Sequence, residues 1–239
     1  MGNSIAGAAY TGTGSKASGA QSVTDVVIPS GVSIAIVSLH WFDPTGSPGS
    51  ITLDGQAVTI VSNAISSTND SVKLGWVTGM AAGSGKTLAY TNSAFLSVGV
   101  GIRIAFLAGS ETVSPIRDQE EPGVTAAAGN VDFTGMAFTS GDWTIIATTS
   151  DLSGVLLDGG ANTELVAESL SGSLYCGQAY RTDGSDIGTP SSPNSFLAAG
   201  ALVVKTATGG PSAGTDTATA GLSESLNTVS VTLSIQESG

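Results

Sequence analysis

The sequence has very little of the side-chain chemistry on which enzymes usually depend. It contains one cysteine, Cys176, and one histidine, His40, among 239 residues. A single cysteine excludes an intrachain disulfide, and two such residues are too few for the usual zinc sites. Lys and Arg number 7 against 19 Asp and Glu, a formal net charge of -12. Because nucleic acids and anionic membranes are bound by basic residues, we expect neither as a partner.

Charged residues make up only 11% of the chain and aromatic residues 5%. The charge is less than half the usual fraction, too low for the polar faces of a helical bundle. No apolar stretch reaches the roughly 18 residues of a transmembrane helix. The first residues lack a basic region followed by an apolar one, so we expect no signal peptide. The single cysteine favours assembly in a reducing cytoplasm.

What the chain does have is alternation of apolar and small or polar residues. Val98, Val100, Ile102, Ile104 and Phe106 occupy every second position, and residues 229–235 repeat the pattern. This period predicts strands with one buried face. Candidate strands lie near residues 21–28, 32–42, 51–53, 57–65, 71–78, 87–92, 97–108, 131–139, 142–149, 163–169, 173–181, 199–206 and 226–236.

The fold class follows from these strands and from the absence of helical periodicity. No segment of ten or more residues has a 3.6-residue period with caps, so we predict an all-β, two-sheet antiparallel β-sandwich, jelly-roll-like in its connections. We predict a flexible N-terminal arm over residues 1–20 and a single β-sandwich domain over 21–239. Loops are predicted at 110–130, 182–194 and the Gly/Ala/Thr-rich 206–221.

Two local patterns refine the strand prediction. In residues 33–42 the alternation changes phase, since Ile34 and Ile36 share one parity and Val37 and Leu39 the other. Either a bulge or burial of both faces would account for the change. Asp54-Gly55 predicts a tight hairpin turn, and residues 82–86 predict a looser hairpin loop.

Three motifs suggest chemistry, and each has a simpler interpretation. Residues 83–87, Gly-Ser-Gly-Lys-Thr, look like a phosphate loop, but Met80 stands where the first glycine is required and a strand follows. His40 has no Gly-x-Ser-x-Gly nucleophile motif to serve, so we interpret it as structural. Cys176, within a predicted strand, is interpreted as a small buried residue.

Carboxylates are the remaining candidates for catalysis or metal binding. A glycosidase needs two of them at a fixed separation, and calcium prefers oxygen ligands in Gly-rich loops. With so few aromatic residues to hold a sugar, solvated loops and ordinary turns are the better interpretation. We therefore predict no catalytic, cofactor-binding or metal site. The carboxylates considered are Asp118, Glu120, Glu121, Asp142, Asp151 and Asp158, with Asp158, Glu164, Asp183 and Asp186 for calcium.

The order of segments carries a resemblance to a known family. The segments are 31–42, 51–61, 73–76, 87–91, 105–109, 140–147, 199–205 and 229–235. In this order the chain resembles β-sandwich proteins found among tailed-bacteriophage structural genes and in some bacterial surface proteins. It departs from them at 54–57, where the family often has two glycines, and in the long segment 110–130. The resemblance implies a virion or cell-surface component and brings no catalytic residues.

These observations lead to a non-enzymatic function. We predict a structural component of a bacteriophage virion, either an accessory capsid protein (decoration or cement) or a fibre or tail-attached protein. Its expected partners are capsid or tail subunits and further copies of itself in a homo-oligomer. Its expected location is the virion, after assembly in the host cytoplasm.

The alternative is a carbohydrate-binding or adhesin module on a virion or bacterial surface, whose partner is a host-surface glycan. Trp41, Trp76 and Trp143 are its candidate platforms. Their places in alternating strands favour the core for each of them. An enzyme is the third hypothesis, with Asp118 and Glu120 as its candidate acids.

Overall fold

The structure is a computed structural model that describes residues 2–43, 45–65, 70–120, 133, 135–150, 163–170, 174–182 and 197–207. Its regular structure within these ranges is entirely β, which confirms the all-β, sandwich-like class. In the described part of the chain, no helix has the length and apolar character needed to cross a membrane.

Fifteen strands are described, and all of their pairings are antiparallel. In chain order they are β1 (Ser4–Ile5), β2 (Tyr10–Gly14), β3 (Gly19–Ile28), β4 (Ile34–Phe42), β5 (Pro48–Leu53), β6 (Gln56–Ala57), β7 (Thr59–Ile65), β8 (Asp70–Thr78), β9 (Gly83–Asn92), β10 (Val100–Ala108), β11 (Ile116–Glu120), β12 (Trp143–Ser150), β13 (Thr163–Leu170), β14 (Leu174–Arg181) and β15 (Leu197–Val204).

The strands form three sheets. The six-stranded sheet has the order β1-β10-β4-β8-β7, with β2 also paired to β10. The five-stranded sheet has the order β11-β15-β12-β14-β13, and the four-stranded sheet the order β3-β9-β5-β6. One apolar cluster joins the six-stranded sheet to the four-stranded sheet, and a second joins its opposite face to the five-stranded sheet. The sandwich therefore has three layers where the alternation predicts two, with the six-stranded sheet in the middle.

Strand β4 shows why the alternation changes phase at residues 33–42. Every residue from Ile34 to Trp41 is buried. Its pairing with β8 runs without a shift from Ile34 opposite Thr78 to Phe42 opposite Asp70, so no bulge is present. Val37 and Leu39 face the four-stranded sheet while Ile36 faces the five-stranded sheet. A strand that is covered on both faces has a nearly continuous run of apolar residues in its sequence.

The Asp54-Gly55 hairpin is confirmed. Both residues have positive φ, 52° and 77°, as a two-residue hairpin turn requires, and they join β5 to β6 with Leu53 opposite Gln56. The phosphate-loop-like residues Gly83–Lys86 belong to β9 and do not form the loop predicted at 82–86. The Lys86 ammonium lies 3.0 Å from the Asp54 carboxylate, so it is held by the hairpin turn.

Three other segments differ from the sequence-based prediction. Residues 4–5 and 10–14, predicted as part of a flexible arm, are strands paired to β10. The predicted loop 110–130 contains β11, which pairs with β15. The strand predicted at 131–139 is wrong for residues 135–139, which have no strand structure, although Phe133 and Met136 still pack on the outer face of the five-stranded sheet. The predicted strand 226–236 and most of the loop 206–221 lie outside the described residues.

A close contact between layers yields a direct test of the packing. A methyl group added at Gly101 on β10 would lie 2.6 Å from the Cys176 sulfur on β14. We expect Gly101→Ala to lower the free energy of unfolding by about 1–3 kcal/mol, because overpacking must separate the two sheets. Urea denaturation of Gly101→Ala, of Cys176→Ala and of the double variant measures the change in the free energy of unfolding.

The double variant should recover much of the loss, since Cys176→Ala removes the obstructing sulfur. Gly49→Ala is the matched control, because its added methyl group would be 3.8 Å from the nearest atom. That control should change stability by less than about 0.5 kcal/mol. Additive effects of Gly101→Ala and Cys176→Ala would contradict the contact.

Candidate functional site

A short polar chain crosses the otherwise apolar boundary between the six-stranded and five-stranded sheets. Ser38 and His40 are two residues apart on β4 and so lie on the same face. The Ser38 hydroxyl is 2.8 Å from His40 Nε2, and His40 Nδ1 is 2.7 Å from the Thr149 hydroxyl on β12. Ser38, His40 and Thr149 are each 0% exposed. His40 therefore links two layers by hydrogen bonds inside the core.

The surroundings of His40 favour the neutral imidazole. Burial is the main cause that holds the pKa of His40 well below its usual value, and the positive charge of Arg103 adds to it. Arg103 lies on β10 opposite Ser38 and is itself 2% exposed. Its Nη1 donates hydrogen bonds to the backbone oxygens of Ile102 and Gly12, at 2.8 and 3.3 Å.

A serine next to a histidine is the geometry of a nucleophile and its base. Here both residues, and Thr149 behind them, are sealed from solvent, so the arrangement is suited to holding sheets together. A neutral imidazole donates through one nitrogen and accepts at the other, and a hydroxyl can play either role. The three side chains therefore satisfy one another without a charge.

Because His40 is the only histidine of the chain, a change of stability near pH 6.5 can be assigned to it. Because the folded state lowers the pKa of His40, the unfolded chain binds its proton more readily. Stability should be highest above the ordinary pKa, about 6.5, and fall as pH drops from there toward 5 by up to about 1.4 kcal/mol per pH unit. Urea denaturation across this range measures the slope.

His40→Gln should remove that slope, whatever it does to absolute stability. The ring signals of His40 in NMR spectra provide a second measurement and should show that the pKa of His40 in the folded protein is well below its ordinary value. A folded-state titration near 6.5 would contradict the sealed environment.

Cys176 lies in the same boundary and matches its sequence-based interpretation. The side chain is 0% exposed and packs with Leu174, Phe42 and Val98. It faces Gly101, the residue whose missing side chain makes room for the sulfur. Cys176 is therefore a packing residue in this structure.

The acidic segment predicted around residue 118 lies on β11 at an edge of the five-stranded sheet. A cavity of about 210 Å³ is lined by Asp118, Gln119, Glu120, Gly135 and Met136. The Asp118 carboxylate accepts hydrogen bonds from the Ala137 and Gln119 amides at 2.7 and 2.8 Å. Asp118 thus holds the segment around Ala137 against β11. Glu121 lies outside the described residues.

Asp142 has a structural role that the sequence analysis misses. It is 2% exposed and accepts hydrogen bonds from the Thr139 amide at 2.9 Å and the Thr206 amide at 3.2 Å. The Arg117 guanidinium forms an ion pair with the same carboxylate. Asp142 therefore joins the start of β12 to the end of β15 and to β11. Nothing in the alternation identifies Arg117 as its partner.

The structure offers no metal site among the residues that it describes. Within the described ranges, no group of three or more His, Cys, Asp or Glu side chains could hold a metal ion. Asp151, Asp158, Asp183 and Asp186 lie outside those ranges, and Glu164 is described only as part of the β13 backbone.

The three tryptophans have different environments. Trp41 is 0% exposed and donates a hydrogen bond from Nε1 to the Gly46 oxygen at 2.9 Å, so it is a core residue. Trp76 and Trp143 are only partly buried, at the rim of the cluster between the six-stranded and five-stranded sheets. Trp143 stacks on Tyr180 with ring centres 4.9 Å apart and planes inclined by 11°.

Three of the four large aliphatic side chains that are exposed in the described residues lie on sheet edges, and the fourth, Val113, is 90% exposed in the loop between β10 and β11. Among the described strands, the large apolar residues that face solvent are Val27 on β3 and Ile60 and Ile65 on β7, with exposures of 55%, 39% and 45%. Among the strands that the structure describes, β3 is an edge of the four-stranded sheet and β7 an edge of the six-stranded sheet. Exposed edges carry unpaired backbone groups that can accept a further strand.

Comparisons of this chain with family models, with curated proteins and with solved structures found no match.

Proposed function

We propose that this protein is a non-enzymatic structural subunit of a bacteriophage virion, an accessory capsid or a fibre or tail-attached protein, and that it works by assembling with other subunits. The virion setting rests on the resemblance in segment order. The assembly role rests on the edge strands.

The observation that carries the proposal is that three exposed aliphatic residues lie on edge strands of the described sheets. Val27, Ile60 and Ile65 all lie on sheet edges, where a neighbouring subunit can pair with the backbone and cover the side chains together. The burial of His40 and Cys176 in packing roles is compatible with such a function.

The proposal is tested on particles. Mass spectrometry of purified phage particles, from lysates of the organism that carries the gene, should find the protein in fixed proportion to a shell or tail subunit. Light scattering of the isolated protein should find an oligomer, or a monomer that co-sediments with empty heads or tails. A stable monomer that accompanies no particle overturns the proposal.

A second candidate is a glycan-binding module, favoured by the partly exposed Trp143–Tyr180 stack. Aromatic faces bind the apolar faces of sugar rings. On a glycan array, Trp143→Ala should lower binding about tenfold or more, in line with the loss of one well-placed aromatic contact. Phe95→Ala is the control, because Phe95 is a 60% exposed aromatic residue in the loop between β9 and β10, away from β12 in the sequence. Absence of glycan binding, or binding unaffected by Trp143→Ala, removes this candidate.

A further inference from the structure

Three loops of the structure meet and are joined by hydrogen bonds. They contain residues 15–18 between β2 and β3, residues 45–47 between β4 and β5, and residues 93–99 between β9 and β10. The Leu96 amide donates a hydrogen bond to the Lys16 oxygen at 2.8 Å, so the third loop is attached to the first. Together the three loops form one platform.

The Asp43 carboxylate, at the start of the second loop, is enclosed by this platform. One of its oxygens accepts hydrogen bonds from the Thr45 amide, the Thr45 hydroxyl and the Gly46 amide, at 2.8, 2.8 and 2.9 Å. The other oxygen accepts from the amide and the hydroxyl of Ser97, at 2.9 and 2.8 Å. Because Asp43 is 7% exposed, its negative charge faces the loops and is turned away from solvent.

The first loop is fixed by side chains of the four-stranded sheet. The Tyr90 hydroxyl and the Asn92 side-chain amide, both on β9, donate hydrogen bonds to the Ser15 oxygen at 3.1 and 3.0 Å. The Asn92 amide also donates to the Ala17 oxygen at 2.8 Å. Lys16 lies between these two residues, so the backbone from which its side chain projects is held on both sides.

Phe95 is the aromatic side chain that the platform presents to solvent. It is 60% exposed, whereas its neighbour Leu96 is 0% exposed and packs against Gly46. The Lys16 ammonium lies 5.2 Å from the centre of the Phe95 ring, within the range of a cation–π contact. A single exposed apolar side chain is ordinary. A ring on a fixed backbone with a cation beside it has little conformational entropy left to lose on binding.

The exposed charge of the platform is opposite in sign to that of the whole chain. Lys16 and Asp43 are the charged residues of the three loops, and of the two only Lys16 is exposed. The ion pairs that the described residues form with one another involve Lys86 and Arg117, and neither includes Lys16. In a chain with a net charge of -12, the Lys16 ammonium therefore attracts a carboxylate where the overall charge would repel one.

The remaining polar side chains of the platform favour a peptide over a sugar. A sugar site directs several polar groups at the hydroxyls of its ligand. Here the hydroxyls of Thr45 and Ser97 donate to Asp43, and the Ser93 hydroxyl accepts from the Ser47 amide at 3.0 Å. One lysine is also too few for a nucleic acid or an anionic membrane. The platform offers a ring and an ammonium, which fit an apolar side chain next to a carboxylate.

We propose that Phe95 and Lys16 form a docking site for an acidic peptide segment of a partner subunit. An apolar side chain of that segment packs on the Phe95 ring, and a neighbouring carboxylate pairs with the Lys16 ammonium. The proposal names the kind of partner for the assembly function above and rests on it. One ring and one ion pair bury little area, so we expect an isolated segment to bind with a dissociation constant of about 1 mM.

A peptide titration followed by NMR tests the site itself. The probe is a short, capped peptide of glutamate, leucine and serine, and the matched probe has lysine in place of every glutamate. The glutamate peptide should shift the amide signals of residues 15–18 and 93–98, and added sodium chloride should weaken the binding. The lysine peptide should leave these signals unchanged, because Lys16 repels its ammonium groups.

Two variants separate the ring from the charge. Phe95→Ala and Lys16→Gln should each lower the affinity for the glutamate peptide about fivefold or more. Val113→Ala and Lys205→Gln are the matched controls, because they remove an exposed apolar side chain and one positive charge outside the three loops. Urea midpoints equal to that of the wild type would show that the loss is one of binding, since a structural role would lower them.

The inference is overturned if the glutamate peptide shifts other signals instead, if Phe95→Ala binds it as tightly as the wild type, or if the lysine peptide binds the same loops. Loss of glycan-array binding in Phe95→Ala would mean that a sugar occupies the site, and it would overturn the inference as well. If the wild type still joins particles or forms an oligomer in these cases, the assembly function stands. If it does neither, both proposals fail.

Discussion

Burial of both faces of β4 and β10 is the constraint on which the rest of the structure depends. A strand with no solvent-facing side needs a sheet above and a sheet below, and the other two sheets meet that need. Apolar contact is non-directional and does not by itself fix how one sheet sits on another. The hydrogen bond between His40 and Thr149 is directional, and it joins the middle layer to one outer layer at a defined point. The position of Gly101 over Cys176 adds a steric limit at the same boundary.

The fold class and most strands could be predicted because period-two alternation and turn chemistry are local signals. The Asp54-Gly55 turn depends only on which residues accept positive φ, and the structure has it as predicted. The number of layers could not be predicted in this way. In β4 a phase change fits either a bulge or a second covering sheet, and only the pairing partners of the strand distinguish the two. Strand β11 was missed because its residues, Ile-Arg-Asp-Gln-Glu, do not alternate and owe their conformation to β15.

For individual residues, too, burial could be predicted from the sequence, whereas the partners in the fold could not. His40 and Cys176 are both buried, which agrees with their interpretation as structural residues. Their partners were not predictable, because Thr149 is 109 residues from His40 and Gly101 belongs to another sheet. Similarly, Asp142 looked like a strand-end acid, and only the fold brings Arg117 and Thr206 to it.

The pairing of β1 and β2 with β10 has a consequence for how the chain is made. Ser4 and Ile5 pair with Ala108 and Leu107, and the side-chain amide of Asn3 donates a hydrogen bond to the backbone oxygen of Val204. Because these partners lie a hundred or more positions later in the sequence, residues 3–5 cannot pair until that much more of the chain has been synthesised. Sheets that depend on such distant pairings form slowly, and their unpaired strands stay open to wrong partners meanwhile. Residues 2–20, rich in glycine and alanine and poor in large apolar residues, are well suited to that delay.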